Sequence, residues 1–145
     1  MSRHRRRLRL VAWLVCLTLA AACDGDGDAE VTTSETTTTA ASARPEFLAA
    51  NVQVRAEDVN FPQTSFTATA GDITVAYVNE GKILHSLRLE TSAGDEIAEW
   101  QRLEVPNHGD LALGTVSLSP GSYVLYCDIP GHRIAGMEAT LTVEA

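Results

Sequence analysis

From Glu46 onward, apolar and polar residues alternate with a period of two. The segments ITVAYV (73–78), ILHSLRLE (83–90), SYVLYC (122–127) and MEATLTVE (137–144) carry the pattern most clearly. Successive side chains of a strand point to opposite faces, so this alternation predicts strands with at least one buried face. Residues 51–56, 64–69 and 111–118 read as further strands, and the turn signals AGD (70–72), NEG (79–81) and SPG (119–121) punctuate the series. About seven or eight short strands in roughly 100 residues predict an all-β fold, an antiparallel β-sandwich. Residues 94–105 break the rhythm: Ile97, Trp100 and Leu103 recur at helix-like spacing, which predicts a short helix or an irregular excursion.

The strand phase sorts the chemically active residues. His85 falls on the face of Ile83, Leu87 and Leu89, opposite Leu84, Ser86, Arg88 and Glu90. Met137 shares a face with Ala139, Leu141 and Val143, opposite Glu138, Thr140 and Thr142. Cys127 is in phase with Tyr123 and Leu125, although both faces of that strand are apolar. All three side chains are thus expected to converge at one end of a sandwich interior. Each has an ordinary alternative: a hydrogen-bonded core histidine, a methionine filler, a cysteine acting as a small hydrophobe. Their coincidence carries the argument. Beyond residue 44 the chain has one cysteine, one methionine and three histidines, and four of these five fall on one pattern. The fifth, His108 in VPNHGD, reads as a turn residue without a role.

The pattern is completed by CDIPGHRIAGM (127–137), where Cys127, His132 and Met137 are each separated by four residues. Pro130 stiffens this short connection, while Gly131 and Gly136 let it turn. Two imidazoles, one thiolate and a weak axial thioether suit copper. Zinc prefers four strong ligands and gains little from a thioether.

NEGKILHSLRLE (79–90) followed by YCDIPGHRIAGMEATLTV (126–143) resembles the cupredoxins, the blue-copper family that includes plastocyanins and azurins. The Cys-to-His spacing and the Pro-Gly-His order resemble azurin, and the His-to-Met spacing resembles plastocyanin. The resemblance implies an eight-stranded Greek-key sandwich over residues 45–145, with one copper bound by His85, Cys127, His132 and Met137 and working in one-electron transfer. It also implies that His132, flanked by Ile129, Pro130 and Ile134, is the electron port. Simple loop packing would account for the same apolar residues. Asn79 and Pro130 are expected to support the ligands from outside the coordination shell. Many family members carry Asn directly after the first histidine, and this chain has Ser86 there. A shorter hydroxyl in that place leaves the tuning of the metal open.

The first residues follow different rules. MSRHRRRLRL holds five arginines and no acid, and residues 10–22 then run 13 positions without a charge. That is the layout of an export signal over residues 1–22, short for a membrane span. It ends in LAAAC, which resembles the lipobox of bacterial lipoproteins and implies cleavage before Cys23 and lipidation of its thiol. Ordinary cleavage after the three alanines would instead leave Cys23 as a free exposed thiol. Residues 23–44 are acidic and Thr-rich, with little to bury, and are expected to form a flexible tether.

With the export segment removed, Cys127 is the one cysteine left in the domain, so a disulfide scaffold is excluded. Removal of the five arginines also leaves six basic residues against 19 acidic ones. Such a balance disfavours nucleic acid and favours a redox partner with a basic docking surface. The sequence therefore predicts an exported protein, lipid-anchored on the outer face of the cytoplasmic membrane, that carries electrons and is not an enzyme. Copper homeostasis or delivery, and a redox subunit of a larger membrane-associated system, are the competing readings.

Overall fold

The computed structural model describes residues 41–145. The export segment, Cys23 and the tether up to residue 40 lie outside the described residues. Within them, the alternating segments form eight strands: β1 (Val52–Ala56), β2 (Ser65–Thr69), β3 (Gly71–Asn79), β4 (His85–Thr91), β5 (Leu103–Val105), β6 (Leu111–Leu118), β7 (Gly121–Tyr126) and β8 (Glu138–Glu144). They build a three-stranded sheet in the order β1-β3-β6 and a five-stranded sheet in the order β2-β8-β7-β4-β5. The fold is the expected all-β sandwich. Its pairing is mixed where an antiparallel arrangement was expected, because β1 runs parallel to β3 and β2 parallel to β8. Both parallel partners come together across crossovers, which periodicity cannot register.

One core fills the space between the sheets. The larger sheet contributes Leu87, Leu89, Leu125, Ala139, Leu141 and Val143, and the smaller one Val52, Val54, Ile73, Val75, Tyr77 and Val116. A second, smaller cluster covers the other face of β3: Ala76 and Val78 pack with Ala41, Phe47 and Ala50. Phe47 comes from the one-turn helix α1 (Pro45–Leu48), and Ala41 from the 3-10 turn Ala41–Ala43 before it. Residues 41–44, which composition groups with the tether, are therefore folded here, with Arg44 Nη2 donating to the Gly109 carbonyl at 3.0 Å.

Residues 94–105 contain no helix. They make an isolated bridge between Glu90 and Glu96 and then strand β5, which pairs with β4. Trp100 and Leu103 are buried, and Ile97 packs against the core, so the apolar spacing of three serves an irregular chain lying over the sandwich. Trp100 Nε1 donates to the Leu87 carbonyl at 3.2 Å. Gly114 leaves the space its ring uses, since a Cβ there would sit 3.0 Å from the indole.

Strand β4 starts two residues later than the alternation predicts. Ile83 and Leu84 precede it in a loop and are each 41% exposed, so Ile83 does not join the inward face. Ser86 and Glu90, on the face read as outward, are buried. Polar partners cover them there: Asp128 bonds Ser86, and Arg133 bonds Glu90.

Candidate metal centre

Sheet register brings the candidate ligands together. Strands β4 and β7 are antiparallel, with Arg88 opposite Tyr126, so the start of β4 lies beside the end of β7. Strand β8 is antiparallel to β7, with Tyr126 opposite Glu138, which places the start of β8 at the same end. His85 opens β4, Cys127 directly follows β7, and Met137 directly precedes β8. All three are fully buried.

The connection between Cys127 and Met137 is tightly organised. Its residues form a one-turn helix, α2 (His132–Ala135), flanked by Gly131 at φ 87° and Gly136 at φ 117°. That left-handed backbone favours glycine at both places. His132 N–H donates to Ile129 O at 3.0 Å, and Met137 N–H donates to His132 O at 3.1 Å. His132 thus opens a helical turn held at both ends.

The ligand atoms of His85, Cys127 and His132 all lie within 4.8 Å of one another. Cys127 Sγ is 3.5 Å from His132 Nδ1, and the two imidazole centroids are 5.3 Å apart. Both ring nitrogens of His85 are buried without a hydrogen-bond partner among the described residues. A buried polar group left unpaired costs about 1–3 kcal/mol, so this histidine needs a partner that the described residues do not supply. Burial, reinforced by His132 and opposed by Asp58, lowers its pKa to about 4 and keeps the ring neutral with a free lone pair. A buried neutral imidazole, a second imidazole and a thiol facing one point fit a copper ion.

The supporting residues are placed as follows. Asn79 is buried, donates from Nδ2 to the carbonyls of Ile83 at 2.7 Å and Val105 at 2.9 Å, and accepts from Gly81 N–H at 2.9 Å. It therefore ties the loop that leads into His85 to strand β5. Ser86 N–H lies 3.5 Å and its Oγ 3.4 Å from Cys127 Sγ. Around His132, which is half-buried, Pro130 is exposed and Ile134 is 95% exposed. Ile129 instead packs against the core.

Two features escape sequence reasoning. His108 is exposed yet bonds the loop before His85, with Nδ1 3.1 Å from Glu80 O and 3.2 Å from Gly81 O. Asp128 stands opposite Ser86 and binds it, and Arg102 Nε lies 2.9 Å from both its carboxylate oxygens. Partial burial opposes ionisation of Asp128, but hydrogen bonds from Arg102 and Ser86 prevail and hold its carboxyl below the usual range. The only trace of this cluster in the sequence is an acid directly after Cys127.

A β-sandwich with two histidines and a cysteine gathered at one end defines a mononuclear copper protein of the cupredoxin class. The model of the copper-binding plastocyanin/azurin family matches residues 48–144, and the chain belongs to that family. Its cofactor is accordingly one copper.

Among solved structures, the chain is similar to a dithionite-reduced auracyanin from Roseiflexus castenholzii, at 21% identity and a TM-score of 0.56, covering 65% of this chain and 96% of that one. It is also similar to auracyanin B, at 25% identity and a TM-score of 0.52, covering 65% and 88%. An azurin from Methylomonas sp. strain J gives 19% identity and a TM-score of 0.52, covering 63% and 95%. A search of functionally curated proteins gives no match.

Proposed function

We propose that this protein is a one-electron carrier whose copper is held by His85, Cys127, His132 and Met137, and that it works outside the cytoplasm. The observation that carries the reading is His85: both its nitrogens are buried and, among the described residues, unpartnered, within reach of a thiol and a second imidazole. Copper bound there supplies one-electron chemistry between Cu(II) and Cu(I).

The chain's own part is to hold the donors still. His85 sits in a strand paired on both sides, with Val105 opposite it. Cys127 and Met137 are joined through their backbones, and His132 rides on a turn closed by two glycines. Donors fixed in this way need little rearrangement when the charge at the centre changes. The buried surroundings exclude water and favour the lower charge. His132 keeps part of its surface in solvent beside Pro130 and Ile134, which makes it the point of electron entry and exit. No bond of a substrate is made or broken, so the protein is a carrier and not an enzyme.

The arginine-rich start, the uncharged run and LAAAC before Cys23 support export and lipid anchoring on the outer face of the cytoplasmic membrane. Among the described residues no helix is long and apolar enough to cross a membrane. The acidic tether then gives the domain reach toward a redox partner, and the excess of acid over base suits a basic docking surface.

Cycling the copper-loaded domain with a chemical reductant and oxidant in the presence of a Cu(I) chelator tests the carrier role. A carrier returns to its starting spectrum over repeated cycles and keeps its metal. Rapid loss of copper to the chelator on reduction would overturn the reading in favour of metal delivery.

A further inference from the structure

The Ser86 hydroxyl has two acceptors within reach and one proton to give. Its Oγ lies 3.4 Å from Cys127 Sγ and 2.6 Å from Asp128 Oδ1. The shorter contact is to an ionised carboxylate, and hydrogen bonds of that kind are roughly twice as strong as neutral ones. Asp128 N–H in turn donates to Ser86 Oγ at 3.1 Å, so the two residues close a ring of two hydrogen bonds that fixes the hydroxyl's direction. The carboxylate is itself held: Arg102 Nη2 is 2.8 Å from Oδ1, and Arg88 Nε is 3.6 Å from Oδ2.

We infer that Asp128, clamped by Arg102 and Arg88, accepts the Ser86 hydroxyl's hydrogen bond and withholds it from Cys127, acting as a positioning residue that sets the electron density on the metal-bound sulfur. Strand β4 then offers that sulfur its backbone N–H at residue 86 and no hydroxyl donor. A thiolate with fewer hydrogen bonds is a stronger donor, which favours Cu(II), lowers the reduction potential and lowers the energy of the sulfur-to-copper transition. Ser86 is thereby more than a shortened asparagine. Together with the acid after Cys127 it forms a separate tuning device.

This inference rests on the proposed copper site, and the experiment separates the two. Wild type, S86A, D128A and the double variant S86A/D128A are each loaded with one equivalent of Cu(II). The position of the thiolate band and the reduction potential are then recorded. Ser86→Ala should leave both close to wild type, because the hydroxyl does not donate to sulfur. Asp128→Ala frees the hydroxyl to turn to Cys127, which should move the band to higher energy and raise the potential. Loss of the Asp128 charge acts equally in the single and double variants. The hydroxyl's part is therefore the difference between them, and the double variant should lose the band shift. D128N keeps the side-chain shape with a weaker acceptor and should shift the band in the same direction by less. A shift to lower energy in S86A alone, or identical bands in D128A and S86A/D128A, would overturn the assignment. A wild-type protein with no thiolate band would instead refute the copper site itself.

Discussion

The backbone N–H of Cys127 donates to the carbonyl of Met137 at 3.0 Å. That bond extends the β7–β8 ladder one step past its last strand pair, Tyr126 with Glu138. The backbones of two candidate ligands are thus held by the sheet itself. Met137 is fully buried, so its side chain serves packing as well as the coordination proposed for it. Exchange of Met for Leu in a core costs less than about 1.5 kcal/mol. Met137→Leu should therefore lower the stability of the metal-free domain by less than about 1.5 kcal/mol, read from the urea midpoint. The reduction potential should rise, because Cu(II) loses a donor, and voltammetry of the loaded protein checks this.

Asn79 holds the loop into His85 by three hydrogen bonds, to Ile83, Val105 and Gly81. Truncation leaves buried backbone groups without partners, at about 1–3 kcal/mol for each one not rescued by water. Asn79→Ala should destabilise the metal-free domain by about 2–4 kcal/mol in urea unfolding. Gly81→Ala should also destabilise it, because a Cβ there would overlap the backbone nitrogen of Asp58.

The Tyr77 hydroxyl is buried in the core without a partner among the described residues. Tyr77→Phe should stabilise the domain by about 1–2 kcal/mol at neutral pH, read from the urea midpoint. Burial, helped by the nearby Cys127, also holds the phenol well above its ordinary value of 10.0. The folded state then keeps a proton that the unfolded state releases, so the contribution is complete below about pH 10 and is lost as pH rises further. Above pH 10 the wild type should lose stability faster than Tyr77→Phe, by up to about 1.4 kcal/mol per pH unit.

The inward placement of the candidate ligands was legible wherever one residue's strand phase was enough. His85 and Met137 share faces with residues that are indeed buried, and Cys127 follows Leu125 into the core. Alternation misleads at Ile83, because the pattern continues into a loop that Asn79 holds outside the strand. Spacing misleads at Ile97, Trp100 and Leu103, because tertiary packing also accommodates apolar residues three apart on an irregular chain. The Ser86–Asp128–Arg102 cluster was illegible for another reason. It depends on the register of β4 against β7 and on where the segment before β5 lies, and neither leaves a periodic trace in the chain.

Addition of Cu(II) to the metal-free domain, followed in the visible range for wild type and Cys127→Ser, tests the central claim most directly. The account predicts an intense thiolate-to-copper band that saturates at one equivalent and is absent from the variant. Failure of the wild type to develop that band, or its persistence in Cys127→Ser, would contradict a copper centre built on His85, Cys127, His132 and Met137.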